Sequence, residues 1–520
     1  MPKYQGLRVC VLGMARSGVA AVQLLVRQGA VVTALDGQPP SKLADAIASL
    51  AGLPVTFRLG PEGKTLPEET GLLIISPGVP YRAPIVEQAL QRGVPVIGEL
   101  ELAYQNCPSQ HIAAITGTNG KTTTTALVHM IFQQMMQGET EAVQAGPTQA
   151  EAAQTAQAEQ AQAAPQAWAV GNIGCPWSAM VARMSPSDYL AVEVSSFQLE
   201  TVATFRPRVS AILNLTPDHL DRHGDMQGYA AVKAAIFREQ GPGDTLVYNA
   251  DDDSVAKLAQ AAMCAKLPFS RTRQLDEGVF LQAGEPALPQ SGEAAYRQPG
   301  ECISQQSEAP ARPTNNPVVP TITVRQKGVT HAIVPLSVLR IPGRHNVENA
   351  LAAVAIAYAM GVPADIIARG LAAFPGVAHR MEAVAEIRGV AYVNDSKGTN
   401  PDSTIKAVEA AERPTVLIAG GYDKKTPFDA LARVIAQSNL AHVVLMGATA
   451  AQIEAELRDA GYIRFTCAHT LEEAVAVAAA IARPGWQVLF SPACASFDQF
   501  RDFEARGDAF KALVQAMKKC

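Results

Sequence analysis

In Ile115-Thr116-Gly117-Thr118-Asn119-Gly120-Lys121-Thr122-Thr123-Thr124 an apolar strand, Ile112 to Ile115, passes through a glycine turn into a helix starting at Thr122. A glycine turn between strand and helix aims its backbone N–H groups, with those of the helix N-terminus, at one spot where a triphosphate can dock. Lys121 would reach the outer phosphates. Thr122 places a hydroxyl where a Mg2+ ion bridging those phosphates needs a ligand. The common phosphate loop has about four residues between its first glycine and its Gly-Lys pair, whereas Gly117 and Gly120 are separated by Thr118 and Asn119 alone. An ordinary Gly-Asn turn explains the glycines but not the Lys-Thr that follows. The chain is expected to handle a nucleoside triphosphate.

Upstream, the apolar run Leu7 to Leu12 ends in Gly13-Met14-Ala15-Arg16-Ser17-Gly18, an Ala/Val/Leu helix follows, and Asp36 closes the next apolar run, Val31 to Leu35. This is the order of a nucleotide-binding βαβ unit, in which the turn takes phosphate and the acid takes ribose hydroxyls. Ala15 replaces one glycine of the usual pattern. From these residues alone a dinucleotide oxidoreductase stays open. Leu72 to Ser76, followed by Pro77-Gly78-Val79-Pro80, adds a strand ending in a turn at the same edge.

Composition bounds the answer without choosing it. A length of 520 residues suits about three domains. A net charge of -5 without a polybasic block argues against a nucleic-acid partner. No stretch approaches the ~20 apolar residues of a membrane span; Leu351 to Met360 is short and Ala-rich and reads as a buried helix. Met1-Pro2-Lys3-Tyr4-Gln5 runs directly into a strand, with no apolar signal segment. The eight cysteines form no CxxC pair, so neither a disulfide framework nor a zinc site is suggested, and a reducing cytoplasm fits.

A second unit begins near Pro108. From about Gln133 to Gln166 the chain is Ala, Gln, Glu and Thr with almost no large apolar residue, so it is a surface helix or disordered. Gly284 to Pro317, rich in Pro, Gln, Ser and Glu, reads as a loop. A third unit opens near Arg380 and alternates the strands Ala391 to Val393, Thr415 to Ala419, His442 to Met446 and Val488 to Phe490 with Ala-rich helices. That alternation implies an α/β fold with a parallel sheet covered on both faces and ligands at the strand C-termini. Asn394-Asp395-Ser396-Lys397, Gly420-Gly421-Tyr422-Asp423-Lys424 and Ser491-Pro492-Ala493-Cys494 each follow one of these strands. They are expected on one rim.

Several side chains stand where phosphate chemistry would use them. Glu193 closes the run Tyr189 to Val192, and His219 lies in the turn after Val209 to Leu213; an oxygen or imidazole at either strand end could serve a metal clamp. A structural role is the ordinary alternative for both. Lys233 is the one charge within Tyr229 to Phe237, which by itself reads as a snorkelling lysine on a helix. Asn346 and Asn349 are spaced i, i+3 and share a helix face.

The shortened phosphate loop, taken with Glu193-Val194-Ser195-Ser196-Phe197-Gln198-Leu199-Glu200, Asn394-Asp395-Ser396-Lys397-Gly398-Thr399-Asn400 and Ser491-Pro492-Ala493-Cys494-Ala495-Ser496-Phe497-Asp498-Gln499-Phe500, resembles the Mur ligase family of ATP-dependent amide-forming enzymes over nearly the whole chain. The resemblance implies three α/β domains: a Rossmann-like uridine-nucleotide domain (1–103), a P-loop ATPase domain with a mostly parallel sheet (104–378, with insertions near 133–166 and 284–317), and a Rossmann-like amino-acid domain (379–520). It implies D-glutamate added to UDP-N-acetylmuramoyl-L-alanine through an acyl phosphate, in peptidoglycan synthesis and hence in bacterial cell shape and division. A member using another amino acid is the neighbouring reading; the absence of a D-N-P-R-type segment near residues 420 to 430 argues against a diaminopimelate enzyme.

Site residues follow from the same resemblance. ATP would meet Gly117, Thr118, Asn119, Gly120, Lys121, Thr122, Thr123, Asn346 and Asn349, with Arg380 and Asp395 arriving as the third domain closes. Mg2+, two ions, would be held by Thr122, Glu193, His219 and Lys233, the last as a carbamate; Lys121, Glu193, His219 and Lys233 would carry the chemistry. Arg16, Ser17, Asp36, Ser76, Gly78 and Asn172 would take the UDP substrate. Lys397, Thr399, Lys424, Ser496, Phe497 and Phe503 would take D-glutamate. The implied partners are small molecules, with no nucleic acid or membrane, and the implied state is a monomer.

Overall fold

A computed structural model describes residues 3–144, 164–283, 319–341, 343–423 and 426–518. Three sheets form from three successive stretches of chain. The first holds β1 (Arg8–Leu12), β2 (Val31–Asp36), β3 (Val55–Leu59), β4 (Leu72–Ile75) and β5 (Val96–Gly98), all parallel in the order β3-β2-β1-β4-β5. Strand order reverses between β1 and β4, so the crevice for a ligand opens there, beyond the strand C-termini. The glycine turn after β1 sits at this point. Gly13 has φ +92°, and a Cβ on Gly18 would run into the Gly13 carbonyl, so Gly18 lets the first helix, Arg16–Arg27, pack against the turn.

The second sheet contains β6 (His111–Thr116), β7 (Ala167–Gly171), β8 (Tyr189–Glu193), β9 (Val209–Ile212), β10 (Thr245–Asn249), β11 (Ala265–Ser270), β12 (Gly278–Gln282), β13 (Thr321–Gln326) and β14 (Val329–Pro335). Its order is β14-β13-β12-β11-β10-β9-β6-β8-β7, parallel from β7 to β12 and antiparallel from β12 to β14. β6 is an interior strand between β9 and β8 and reads Ile-Ala-Ala-Ile because both faces are covered. Over one face lie the helices Lys121–Gln144, Arg344–Ala359 and Ala364–Ala373, whose Leu127, Ile131, Phe132, Leu351, Val354 and Ile367 share a core with Ile115 and Ala211. Gly370 permits the closest approach, since a Cβ there would meet Ile131 Cα. The Ala-rich run from Leu351 is a buried helix, as its composition predicts. Of the Gln133 to Gln166 stretch, the part to Gln144 continues the phosphate-loop helix and 145–163 lie outside the described residues; so do 284–318, which contain the second insertion.

The third sheet has β15 (Glu382–Ile387), β16 (Val390–Asn394), β17 (Thr415–Ala419), β18 (Leu440–Leu445), β19 (Phe465–Cys467) and β20 (Gln487–Phe490), ordered β15-β16-β20-β17-β18-β19. β15 and β16 form an antiparallel pair and the rest run parallel. The loops after β16, β17 and β20 emerge side by side on one rim, as the sequence predicts. No helix among the described residues is long and apolar enough to cross a membrane.

Candidate active site

The phosphate loop is held in shape before any phosphate arrives. Gly117 and Gly120 adopt φ +153° and +85°, left-handed geometry that glycine takes without strain. Asn119 N donates to Asn214 Oδ1 (2.8 Å) and Asn214 Nδ2 donates back to Asn119 O (3.1 Å). Lys121 Nζ folds onto the carbonyls of Gly117 (2.9 Å) and Thr118 (2.8 Å). Burial pulls the Lys121 ammonium below its ordinary pKa, while Glu193 and Asp218 act in the opposite direction. Thr122 and Thr123 are buried in the first helical turn, and Thr123 Oγ1 has no partner.

Around the loop stand the oxygen and nitrogen groups expected of a metal clamp. Glu193 is buried at the end of β8; its Oε1 accepts from Asn172 Nδ2 (2.8 Å), and its Oε2 is buried without a partner. An orphaned carboxylate oxygen costs about 1–3 kcal/mol or more, and a hard cation is the partner that would relieve it. Lys233, also buried, donates to Thr116 Oγ1 (3.2 Å) and Gly117 O (3.0 Å), and its ammonium lies 4.7 Å from the centre of the Tyr229 ring. Burial, with Lys121 adding to it, holds its pKa well below the usual lysine value. This is not a snorkelling lysine.

His219 caps the short helix Leu220–His223 with φ +51°, its Nε2 3.6 Å from Asp218 and its ring 4.7 Å from Phe197. Among the described residues no three His, Cys, Asp or Glu side chains converge as a ready metal site. Glu193, Lys233 and Thr122 are therefore gathered at the loop, whereas His219 faces Asp218 and Phe197. The orphaned Glu193 oxygen and the Thr122 hydroxyl fit Mg2+ chemistry.

On the other wall, Thr124 Oγ1 donates to Asn349 Oδ1 (3.3 Å) and Asn349 Nδ2 donates to Asn346 Oδ1 (3.1 Å), so the i, i+3 pair does share one face. Asn119, Asn349, His345, Arg380 and Asp395 line a small cleft of about 80 Å³ between the second and third units. Burial, with Arg380 and Lys406 nearby, pushes the His345 imidazole down to about 4. Asp395 Oδ2 accepts from Ser491 Oγ (2.7 Å); burial pushes its carboxyl up to about 6 against the lowering effects of Ser491 and Arg380. Arg380 Nε is buried and unpartnered, between His379 and Met381, which both hold positive φ (+61° and +45°). An unpaired guanidinium N–H facing this cleft is suited to an anionic ligand.

Two contacts bind the third unit to the loop. Lys397 Nζ donates to Thr122 Oγ1 (3.1 Å), and Asn119 Nδ2 donates to Asp402 Oδ2 (2.7 Å). The Lys397 ammonium also lies 5.4 Å from the centre of the Phe503 ring. Ser496 is buried; Phe497 is exposed and packs edge-on to Tyr422 at 5.9 Å. Thr399 N donates to Lys397 O (2.8 Å), closing the turn. Lys424 lies outside the described residues.

In the first unit Asp36 accepts from Met14 N and Gln38 N (both 2.8 Å), so it braces the glycine turn, and Ser76 Oγ donates to Gly13 O (3.0 Å). Arg16 and Ser17 open the adjacent helix, and Gly78 lies in the turn after β4. Asn172 is placed on Glu193, in the second unit's site. Sequence reasoning missed Asp218, and also Asn214 and Asp402, whose shared partner Asn119 is distant in the chain. It also missed Arg506, fully buried, which donates to Ser396 Oγ and to the carbonyls of Ser396, Cys494 and Ala495 (2.8–3.0 Å) and so ties two rim loops together.

A phosphate loop with a buried, half-partnered acid beside it, lying under the strand-end rim of a third α/β unit, defines a nucleotide-dependent α/β enzyme of three units. Residues 7–98, 115–286 and 379–494 match, in turn, the Mur ligase MurD-like N-terminal domain, the Mur ligase middle domain and the Mur ligase glutamate ligase domain. The chain is 41% identical to the UDP-N-acetylmuramoylalanine--D-glutamate ligase of Pelotomaculum thermopropionicum, over 98% of each chain, and 36% identical to that of Clostridioides difficile, over 99% of each. In fold it is similar to the UDP-N-acetylmuramate-alanine ligase of Thermotoga maritima (18% identity, TM-score 0.54, 98% of this chain and 99% of that one). It is also similar to the MurF ligase of Thermotoga maritima in complex with ADP (13%, 0.54, 99% and 96%). The chain belongs to the Mur ligase family, enzymes that form amide bonds at the expense of ATP. The dinucleotide oxidoreductase left open by the Gly13 turn is thereby removed.

Proposed function

We propose that this ligase adds D-glutamate to UDP-N-acetylmuramoyl-L-alanine, with residues 1–103 taking the UDP substrate, 104–378 taking ATP and 379–520 taking the amino acid. The observation that carries the reading is the Lys397–Thr122 contact: it sets the candidate amino-acid rim directly on the phosphate loop. The full-length relatives bearing this activity in their names supply the choice of amino acid.

The reaction needs the acceptor carboxylate activated. A carboxylate oxygen attacks the γ-phosphorus, ADP leaves, and the resulting acyl phosphate is attacked at carbon by the amine of D-glutamate; phosphate departs and the amine loses a proton. Catalysis of phosphoryl transfer is largely charge neutralisation and positioning. Lys121 neutralises the transferring group, Asn346 and Asn349 hold the nucleotide, and Arg380 with Asp395 complete the site from the third unit. Closure by Lys397 and Asp402 keeps water from an acyl phosphate that it would hydrolyse. Mg2+ would be held by Thr122, Glu193, His219 and a carbamate on Lys233, and it would supply Lewis-acid polarisation of the phosphates. The burial of Lys233 beneath the loop supports a role there that a solvated lysine would not have. D-Glutamate carries two carboxylates, which Lys397, Lys424, Thr399 and Ser496 would meet beside the wall formed by Phe497 and Phe503. The setting is the cytoplasm, in peptidoglycan synthesis and thereby cell division, and the working form is a monomer.

The test is phosphate release from ATP with UDP-N-acetylmuramoyl-L-alanine and each candidate amino acid in turn. Turnover with D-glutamate alone is expected. Equal turnover with L-alanine, L-lysine or diaminopimelate would refute the choice of amino acid.

A further inference from the structure

Arg222 joins two units that otherwise meet elsewhere. Its guanidinium forks onto Glu200, Nε to Oε1 and Oε2 (2.9 and 3.2 Å) and Nη2 to Oε2 (2.5 Å), and it lies 4.0 Å from the centre of the Phe197 ring. The remaining donors cross to the first unit: Nη1 to Pro77 O (3.2 Å) and Nη2 to Val79 O (3.1 Å). Both charged side chains are nearly buried, 15% and 11% exposed, so this is a desolvated clamp and not a surface ion pair.

What it clamps is the turn after β4. Val79 N donates to Ser76 O (2.9 Å), Ser76 Oγ donates to Gly13 O, and the side chains of Ser76 and Val79 bear directly on Gly13. On the other side Arg222 N donates to His219 O (3.1 Å), and the Phe197 ring beneath the guanidinium also packs on the His219 ring. A continuous set of contacts thus runs from the glycine turn of the UDP unit, through residues 76–79, to Arg222 and His219. Attachment of the two units has its own set of bonds: Gly98 N to Thr201 O (3.3 Å), and Ala203 N and Thr204 N to the Glu101 carboxylate (3.0 Å each). Loss of Arg222 therefore frees the turn without detaching the unit.

We infer that Arg222 is a positioning residue: held by Glu200, it fixes the Pro77–Val79 turn against the Gly13 turn so that the UDP substrate is bound with its carboxylate directed at the phosphate loop. The inference rests on the proposed function and names a specificity element of the same site. Arg222→Lys keeps the charge but cannot make the planar fork and two carbonyl contacts at once. The expected result is a roughly 10- to 100-fold rise in KM for the UDP substrate, the loss of charge-assisted hydrogen bonds. KM for ATP and for D-glutamate should stay within about 2-fold. Glu200→Gln should move the same constant in the same direction, and the double variant should be less impaired than the product of the two.

Calorimetric titration of wild type, Arg222→Lys and Glu200→Gln with the UDP substrate alone reads the same effect without turnover. Wild-type binding without D-glutamate-dependent turnover would sink the functional reading while leaving this inference standing on the titration. Unchanged UDP-substrate affinity in the folded variants, or a parallel rise in all three KM values, would overturn the inference. If Arg222→Lys does not fold, Glu200→Gln decides alone.

Discussion

Lys397 Nζ donates a 3.1 Å hydrogen bond to Thr122 Oγ1, joining the rim of the third unit to the first helical turn of the phosphate loop. Thr122 is the residue that would give its hydroxyl to Mg2+, so the third unit reports directly on occupancy of the nucleotide site. Thr122→Ala and Lys397→Ala should each lower turnover, and the double variant should be clearly less damaged than the product of the single effects, as for residues acting as one unit. Phosphate-release rates for the four proteins check this. Strict additivity would mean that the contact has no part in closure.

Lys121 rests its ammonium on two loop carbonyls. Lys121→Ala should lower kcat by about 10²–10³-fold or more, the usual cost of removing an electrostatic group that acts on developing charge. Steady-state kinetics at saturating ATP give the number. Activity within a few-fold of wild type would remove the loop from the mechanism.

Lys233→Ala tests the carbamate. The variant should be nearly inactive and should recover partly with added acetate, because Mg2+ selects hard oxygen ligands whatever carries them. An ordinary buried ammonium predicts no rescue. Mass spectrometry under bicarbonate should show the carbamate on the wild type and not on the variant.

Asp395 makes a stability prediction with a definite sign. Its carboxyl is held up to about 6 by burial, above the ~3.9 of an exposed aspartate. The folded state thus binds a proton more tightly than the unfolded one, so the contribution of Asp395 is greatest below about pH 4 and is lost as pH rises through 6. Asp395→Asn cannot ionise. It should gain on wild type by up to about 3 kcal/mol between pH 4 and 7, read from denaturant midpoints across that range, while ligase activity falls. A stability difference independent of pH would contradict this.

Much of the fold could be read in the chain because its strands are buried on both faces. Runs such as Ile112 to Ile115, Val416 to Ala419 and Val488 to Phe490 are uniformly apolar, and each ends in a glycine or polar turn. The edge strands were harder to see. β3 reads Val-Thr-Phe-Arg-Leu with alternating exposure, β19 has three residues, and the β12–β13–β14 antiparallel extension is interrupted by residues 284–318. At the site, Lys121, Thr122 and Glu193 announce themselves by position next to the phosphate loop or at a strand end. Asp402, Arg222 and Arg506 do not, because each acts on groups from 110 to 283 residues away. For Asp402 the separation from Asn119 is 283 residues. Local pattern contains no signal for such a pair.

In the proposed reaction the acceptor carboxylate passes through an acyl phosphate before meeting D-glutamate. This is checked by mass spectrometry of the inorganic phosphate released when the UDP-N-acetylmuramoyl-L-alanine carboxylate carries ¹⁸O. The C–O bond that breaks when the amine attacks leaves the labelled oxygen on phosphorus, so phosphate bearing a single heavy oxygen, formed in step with the amide product and only when D-glutamate is present, is the predicted result. Unlabelled phosphate accompanying amide formation would rule the acyl phosphate out.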